Sequence, residues 1–377
     1  MSSFAASEFA GRTARAQALM AEHDIAACLL TTEPEVRYVT GYLTRFWESP
    51  TRPWFVVLPA SGKPIAVIPS IGAQLMGQTW VDDIRTWPAP DLEDDGLGLL
   101  IDTLHEVAPG GLVALPDGHE TQVRMPKSNL DRLAQAVSLT SDAGIFRRLR
   151  MVKSQAEIRK VARACHIAGR AFARVAEIAS AGVPLDRIFR DFQILCLEEG
   201  ADWVPYLAGG AGQAGYRDVI SPATATPLTT GDVLMLDTGL VHEGYFCDFD
   251  RNWSVGRPSA PVRNTHRRLI EATQSGADAA KPGATAATVF HAMNAVLAPG
   301  STGTDAGRLG HGLGMSLTEW PSLIATDHTV LTPGMILTLE PGMALGDRIM
   351  VHEENILITE GDPIFLSPRA GPEIPII

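Results

Sequence analysis

"VLMLDTGLVHEGYFCDFDRNWSVG", Val233–Gly256, decides how the rest of this 377-residue chain is read. Two apolar runs flank "VHEGY", so the stretch reads as a β-hairpin. Asp237 and Asp248 fall on its two arms and, on paired strands, could face one another. A carboxylate that closes an apolar strand such as "VLML" is costly unless some charge pairs with it. A bound cation is one such partner. Asp250 and Arg251 are expected to make structural polar contacts beneath the hairpin, and His242 in its turn is expected to be solvated.

Three further segments carry the same signature of an acid or histidine beside glycine or on a strand. They are "GHGLG" around His311, "ILTLEPGM" around Glu340 and "IMVHEENILIT" around Glu353. Alternation along the last places Glu353 on the face opposite His352 and Glu354, so His352 is expected beside the ligand set rather than in it. Four carboxylates and one imidazole form a hard, oxygen-rich set. Such a set suits a pair of divalent ions better than a closed structural zinc site, because carboxylates can bridge. Two ions ~3.5–4 Å apart can share a hydroxide and polarise a substrate carbonyl.

The composition agrees with a soluble two-domain enzyme, with 45% hydrophobic and 20% charged residues. A formal charge of −12 disfavours nucleic-acid binding and docking on anionic membranes. No stretch approaches the ~20 apolar residues of a membrane-spanning helix, and the first twenty residues lack the apolar core of a signal peptide. Cys28, Cys165, Cys196 and Cys247 are scattered without CxxC spacing, which points to a reducing cytoplasm. No GxGxxG or phosphate loop follows a strand, so nucleotide binding finds no support.

Along the first part, helical and strand patterns alternate. "GRTARAQALMAEHDI" predicts a helix, "AACLLTT" and "PWFVVLPASGKPIAVIP" predict strands, "LGLLIDTLHEVA" a helix and "GLVALP" a strand. A boundary is expected between about 145 and 153. "RRLRMVKSQAEIRKVARACHIAGRAFARVAEIA" then predicts one long amphipathic helix, with a capping box formed by Ser154 and Glu157. "PLDRIFRDFQILCLEEG" predicts a second, entered at Pro184 and left at Gly200. From Val233 onward the pattern is strand-rich, with one helical interruption near "RNTHRRLIEATQSGADAA".

The order Asp, Asp, His, Glu, Glu resembles the pita-bread metallopeptidase family, which includes methionine aminopeptidase, aminopeptidase P, prolidase and creatinase. "LDTG…GYFCDFDRNWSVG", "GHGLG", "TLEPGM" and "HEENILIT" are similar to its four motifs. "RYVTGY" and the paired strands after it resemble the N-terminal domain of the creatinase and prolidase branch, and "RMVKSQAEIRKVARACHIAG" its interdomain helix. The resemblance implies an α+β protein, with a creatinase-like N-terminal α/β domain at 1–148 and a C-terminal pita-bread (creatinase/aminopeptidase) domain at 149–377. It implies that Asp237, Asp248, His311, Glu340 and Glu353 hold two divalent ions (manganese, cobalt, iron or zinc), Asp248 and Glu353 bridging them, with Glu340 also the general base or proton shuttle. It further implies a cytoplasmic homodimer acting on a small molecule or short peptide. Thr44–Trp54, "TRFWESPTRPW", would be either a core-edge loop or a wall of the partner subunit's pocket.

Two departures bear on the substrate. Peptide-cleaving members usually carry a histidine upstream of the first aspartate, where Tyr216 and Arg217 stand here, and another where Thr318 stands. Losing one such donor to a transition state typically costs ~10²–10³ in rate. Keeping the whole ligand set while losing both predicts a redirected substrate or reaction, with Thr318, Tyr216 and Arg217 as the candidate substrate contacts. The leading expectation is a dinuclear metal-dependent hydrolase of the Xaa-Pro dipeptidase/aminopeptidase type, cleaving an amide or peptide-like bond in a small substrate through a metal-bridging hydroxide. The alternatives are a metal-dependent lyase acting on a small zwitterion such as dimethylsulfoniopropionate, whose known members share a similar Glu-Trp-Pro run, or a non-catalytic binding protein on the same fold.

Overall fold

The structure, a computed structural model, describes residues 4–49, 52–300 and 307–377. Pro50 and Thr51 of the aromatic loop therefore lie outside the described residues. The chain divides into two compact units, Met1–Arg150 and Met151–Ile377.

In the first unit the order is α1 (Ala6–Ala21), β1 (Ile25–Leu30), α2 (Glu33–Thr40), β2 (Phe55–Pro59), β3 (Ile65–Pro69), α3 (Ala73–Met76), β4 (Asp83–Trp87), α4 (Leu97–Val107), β5 (Leu112–Leu115), α5 (Lys127–Ala136), β6 (Ser138–Ser141) and α6 (Ile145–Met151), whose last residue opens the second unit. The six strands form one mixed sheet, ordered β4-β3-β2-β1-β5-β6. β2 and β3 are buried at every position, which explains their unbroken apolar runs. Phe55, Val57, Val67 and Trp87 pack against Leu97, Leu100 and Leu104 of α4. Each such side chain contributes roughly 1.5–3 kcal/mol by leaving water.

The second unit continues with α7 (Gln155–Ala173), α8 (Leu185–Glu198), β7 (Trp203–Gln213), β8 (Asp232–His242), β9 (Tyr245–Phe246), β10 (Phe249–Ser254), α9 (Ala260–Ala279), α10 (Ala286–Leu297), β11 (His311–Gly312), β12 (Glu319–Ser322), β13 (Ile336–Leu339), β14 (Gly342–Leu345), β15 (Arg348–Val351), β16 (Glu354–Leu357) and β17 (Ile364–Phe365). β8 lies between β10 and β7, with β9 also paired to it. A second sheet runs β12-β11-β13-β16-β17, and β14 and β15 form a separate hairpin. Leu337, Leu339 and Ile356 of the second sheet pack against Ala277 of α9 and Val289, Phe290 and Met293 of α10.

Two expectations about helices need correction. The long helix foreseen from Arg147 is two helices, α6 and α7, separated at Val152–Ser154. Val152 is drawn into a β-bridge with Met335, and the Lys153 N–H donates to the Gly334 carbonyl. The chain then restarts at the Ser154–Glu157 capping box, whose two reciprocal bonds are present. The strand-rich second half contains a second helix, α10, besides α9. Its capping box pairs Thr285 with Thr288, so the Glu or Gln that usually signals a helix start is missing, and its near-uniform apolar sequence hides the period.

Candidate metal centre

The hairpin places its acids differently from a simple pair of facing strands. Asp237 lies on β8, but the residue opposite it on β10 is Asp250. Asp248 sits in the short break between β9 and β10. Glu353 likewise occupies the break between β15 and β16, and there the alternation holds. Its carboxylate joins Asp248 and His311, while His352 on one side and Glu354 on the other turn away toward each other.

Asp248, His311 and Glu353 are all buried, and each offers a ligand atom within 4.8 Å of the others. His311 Nε2 stands 3.4 Å from Asp248 Oδ2 and 3.9 Å from Glu340 Oε2. The other ring nitrogen, Nδ1, is 2.8 Å from the Gly312 carbonyl. A carbonyl only accepts, so Nδ1 carries a proton and Nε2 is the ring nitrogen turned toward the carboxylates, the one that a cation would take as its ligand. The glycines of "GHGLG" exist for this approach. Gly310 has φ +144°, and a Cβ there would lie 2.3 Å from the Thr338 oxygen; one on Gly312 would lie 2.1 Å from the Trp320 oxygen.

Asp237 accepts a hydrogen bond from the Tyr206 hydroxyl at 3.0 Å through Oδ2. Glu340 follows β13, is half-buried, and has Oε1 3.5 Å from Arg308 Nε. Burial, then repulsion from Asp248 and Asp250, pushes the Asp237 carboxyl well above the usual range. Burial and Glu340 do the same to Asp248, against the opposing charge of Arg308. Burial, Asp248, Glu340 and Asp237 raise Glu353. Asp237 Oδ1 and Glu353 Oε1 are buried and have no hydrogen-bond partner among the described residues. Acids crowded until they repel, with buried oxygens left over, are what a cation site requires. The donor set fits a divalent ion.

A layer of polar residues lies beneath. His352, buried, has Nδ1 3.4 Å from Asp250 Oδ1 and Nε2 3.3 Å from Glu354 Oε1. Burial alone would lower its pKa, but the two carboxylates carry it above the ordinary value. Arg251 donates to the Glu353 carbonyl and pairs with Glu354 at 3.0 Å. Asp250 Oδ1 accepts the Glu353 N–H, and the Asn355 side chain accepts the Asp248 N–H, both at 3.0 Å.

The polar contacts expected of Asp250 and Arg251 beneath the hairpin are thus present, whereas residue type alone signals neither their partners nor the contacts of Asn355, Tyr206 and Arg308. Tyr206 is two residues before Ala208, the register partner of Asp237. Arg308 precedes His311 by one turn of chain.

The three candidate substrate residues part company. Tyr216 is buried, its hydroxyl donating to Asn252 at 3.3 Å and accepting from the Val351 N–H at 2.6 Å, the bonds of a frame residue. Arg217 is exposed on the following loop, and Thr318 is half-buried. Beside Thr318, Glu319 accepts the Met315 and Ser316 N–H groups and pairs with buried Lys153 at 3.0 Å, so the Leu313–Thr318 loop is pinned from within. His242 is half-buried rather than solvated.

Comparison with known proteins places this arrangement. The sequence profile of metallopeptidase family M24 matches residues 159–360, which hold all five candidate ligands. The chain belongs to metallopeptidase family M24. It is a hydrolase of that metal-dependent class, and the creatinase/prolidase N-terminal domain profile matches residues 12–152 of this M24 chain. The probable dipeptidase PepE of Mycobacterium tuberculosis is 30% identical to it over 366 residues, 95% of this chain and 94% of that one. The Xaa-Pro dipeptidase of Pyrococcus horikoshii is 30% identical over 223 residues, 57% of this chain and 62% of the relative. The crystal structure of dipeptidase PepE from Mycobacterium ulcerans superposes with a TM-score of 0.83 at 30% identity, covering 99% of each chain. The mixed α/β architecture of an M24 domain behind a creatinase-type N-terminal domain is thus shared at full length.

Proposed function

We propose that this M24 chain binds two divalent ions through Asp237, Asp248, His311, Glu340 and Glu353 and hydrolyses the amide bond of a dipeptide or similarly small substrate. The observation that carries this reading is the crowding of buried carboxylates with unpartnered oxygens around the His311 lone pair. Ions bound there supply Lewis acidity, lowering the pKa of water and polarising a carbonyl oxygen. Manganese, cobalt, iron and zinc all suit the oxygen-rich donor set.

The chain's own residues divide the remaining work. Glu340, with its side chain 26% exposed beside buried Asp248 and Glu353, faces outward enough to carry a proton between the attacking water and the leaving amine. Tyr206 holds Asp237 in one rotamer through its hydroxyl. Thr318 supplies a neutral donor where peptide-cleaving relatives have an imidazole, and Arg217 offers a solvated cation nearby in sequence to the missing upstream histidine. A donor that cannot be charged favours substrates other than Xaa-Pro dipeptides.

No helix among the described residues is long and apolar enough to cross a membrane, and all four cysteines are buried and unpaired, which supports a cytoplasmic site of action. A homodimer accords with the creatinase-type N-terminal domain.

The test is a screen of metal-reconstituted protein against dipeptides, N-acyl amino acids and small amides, with dimethylsulfoniopropionate alongside. Amide hydrolysis that disappears in Asp248→Ala is the expected result. Release of dimethyl sulfide without any amide hydrolysis would replace this reading with elimination.

A further inference from the structure

Beneath the candidate centre, two side chains make matching bonds in opposite directions. Asp250 lies two residues beyond Asp248, and its Oδ1 accepts the N–H of Glu353 at 3.0 Å. Asn355 lies two residues beyond Glu353, and its Oδ1 accepts the N–H of Asp248 at 3.0 Å while its Nδ2 donates to the Asp248 carbonyl. Each acid of the pair is therefore held through its main chain by a residue that follows the other. Both holders are buried, Asn355 completely.

Each holder is itself fixed. Asn355 Oδ1 also accepts from the Cys165 thiol at 3.2 Å, and its N–H donates to Ser367 Oγ at 2.9 Å. The amide orientation is unambiguous, because only Nδ2 can donate to a carbonyl. Asp250 is backed by His352 on its Oδ1.

We propose that Asp250 and Asn355 are a reciprocal pair of positioning residues that set the separation of Asp248 and Glu353 for divalent-ion binding. The inference rests on the proposed metal-binding role of those two acids. Two buried carboxylates with oxygens within 4.8 Å of one another repel when both are charged and tend to move apart when no ion lies between them. A clasp acting on both main chains opposes that movement and leaves the oxygens arranged before the ion arrives. Ligand supports of this kind commonly change metal affinity ~10–100-fold when removed.

Calorimetric titration of the metal-free, full-length protein with Mn²⁺ tests this, at a temperature well below each variant's own melting midpoint. Asn355→Leu and Asp250→Ala should each weaken Mn²⁺ binding ~10–100-fold. Asp250→Asn, which keeps an acceptor for the Glu353 N–H, should recover most of the loss, and Asn355→Asp, which keeps only the acceptor, should fall between Leu and the wild type. The double variant Asp250→Ala/Asn355→Leu should lose less than the product of the single losses, since either release lets the pair relax. Variants that melt at lower temperature yet bind Mn²⁺ with wild-type affinity would overturn the proposal, leaving the clasp a purely structural tie. Failure of the wild type to bind any of Mn²⁺, Co²⁺, Fe²⁺ and Zn²⁺ is a distinct result, visible without any variant, which removes the metal centre and the clasp's role together.

Discussion

Asp248 and Glu353 are buried acids whose main chains are gripped by Asn355 and Asp250, whereas Glu340, 3.9 Å from His311, and Thr318, just before β12, are half-buried. Glu340 faces Arg308 across 3.5 Å, a contact that either partner can leave without stranding a buried charge. The difference separates two tasks. On the proposed role, holding ions demands oxygens fixed in advance, and the floor formed by Asp248 and Glu353 meets that demand with bonds to the N–H and the carbonyl of each acid. Accepting and releasing a substrate demands side chains held less firmly, and the half-buried rim of Glu340 and Thr318 suits that task.

The comparison can be broken from its largest consequence downward. Lys153→Met strips the partner from Glu319, whose side chain is 6% exposed, so unfolding free energy in denaturant titrations should fall by ~3–5 kcal/mol. A loss below 1 kcal/mol would place the Glu319 loop with the mobile rim instead. Asp248→Asn should abolish the stabilisation that metal confers on the wild type, ~2.7 kcal/mol at a hundredfold excess over Kd. The same change should raise the melting midpoint of the metal-free protein, because one repelling carboxylate is gone from the floor. Calorimetric melts with and without Mn²⁺ measure both halves, and a metal-free midpoint below that of the wild type would contradict the repulsion argument.

Tyr206→Phe removes one hydrogen bond to an acid of the floor, so metal binding should weaken by about 1 kcal/mol without changing its stoichiometry. Loss of one ion altogether would give Tyr206 a larger part than its single bond supports. The smallest effect belongs to the rim. Thr318→Ala should alter stability by less than ~0.5 kcal/mol and act on KM or kcat alone. A Thr318→Ala variant that also binds Mn²⁺ more weakly would erase the distinction between floor and rim.

How far the sequence could be read follows the same division. An acid within or just after an apolar run is costly wherever it lies, so Asp237, Glu340 and Glu353 advertise themselves in the local pattern. "GHGLG" does so through glycines that only a close backbone approach requires. The structure gathers Asp248, His311 and Glu353 within ligand reach of each other from segments far apart in the chain. Of their supports, Asp250 is foreseen as a polar contact beneath the hairpin and Asn355 is not. Asn355 reaches Asp248 across 107 positions and Cys165 across 190, and its place in "HEENILIT" gives no sign of either partner. Tyr206 and Arg308 became visible only once strand register was fixed. The break between α6 and α7 was hidden for a related reason, since a distant strand residue, Met335, competes for Val152.

The 107-residue span of the Asn355 bond has a consequence for how the protein is made. Chains grow at roughly 5–20 residues per second, so Asp248 is synthesised roughly 5–20 seconds before the residue that grips it. For that interval the hairpin exists without the strand that clasps it, and its acids have neither a fixed spacing nor His311 beside them. On the proposed metal-binding role, ion capture is thereby deferred until nearly the whole second unit has been synthesised, which would make loading with metal one of the last events in the chain's maturation.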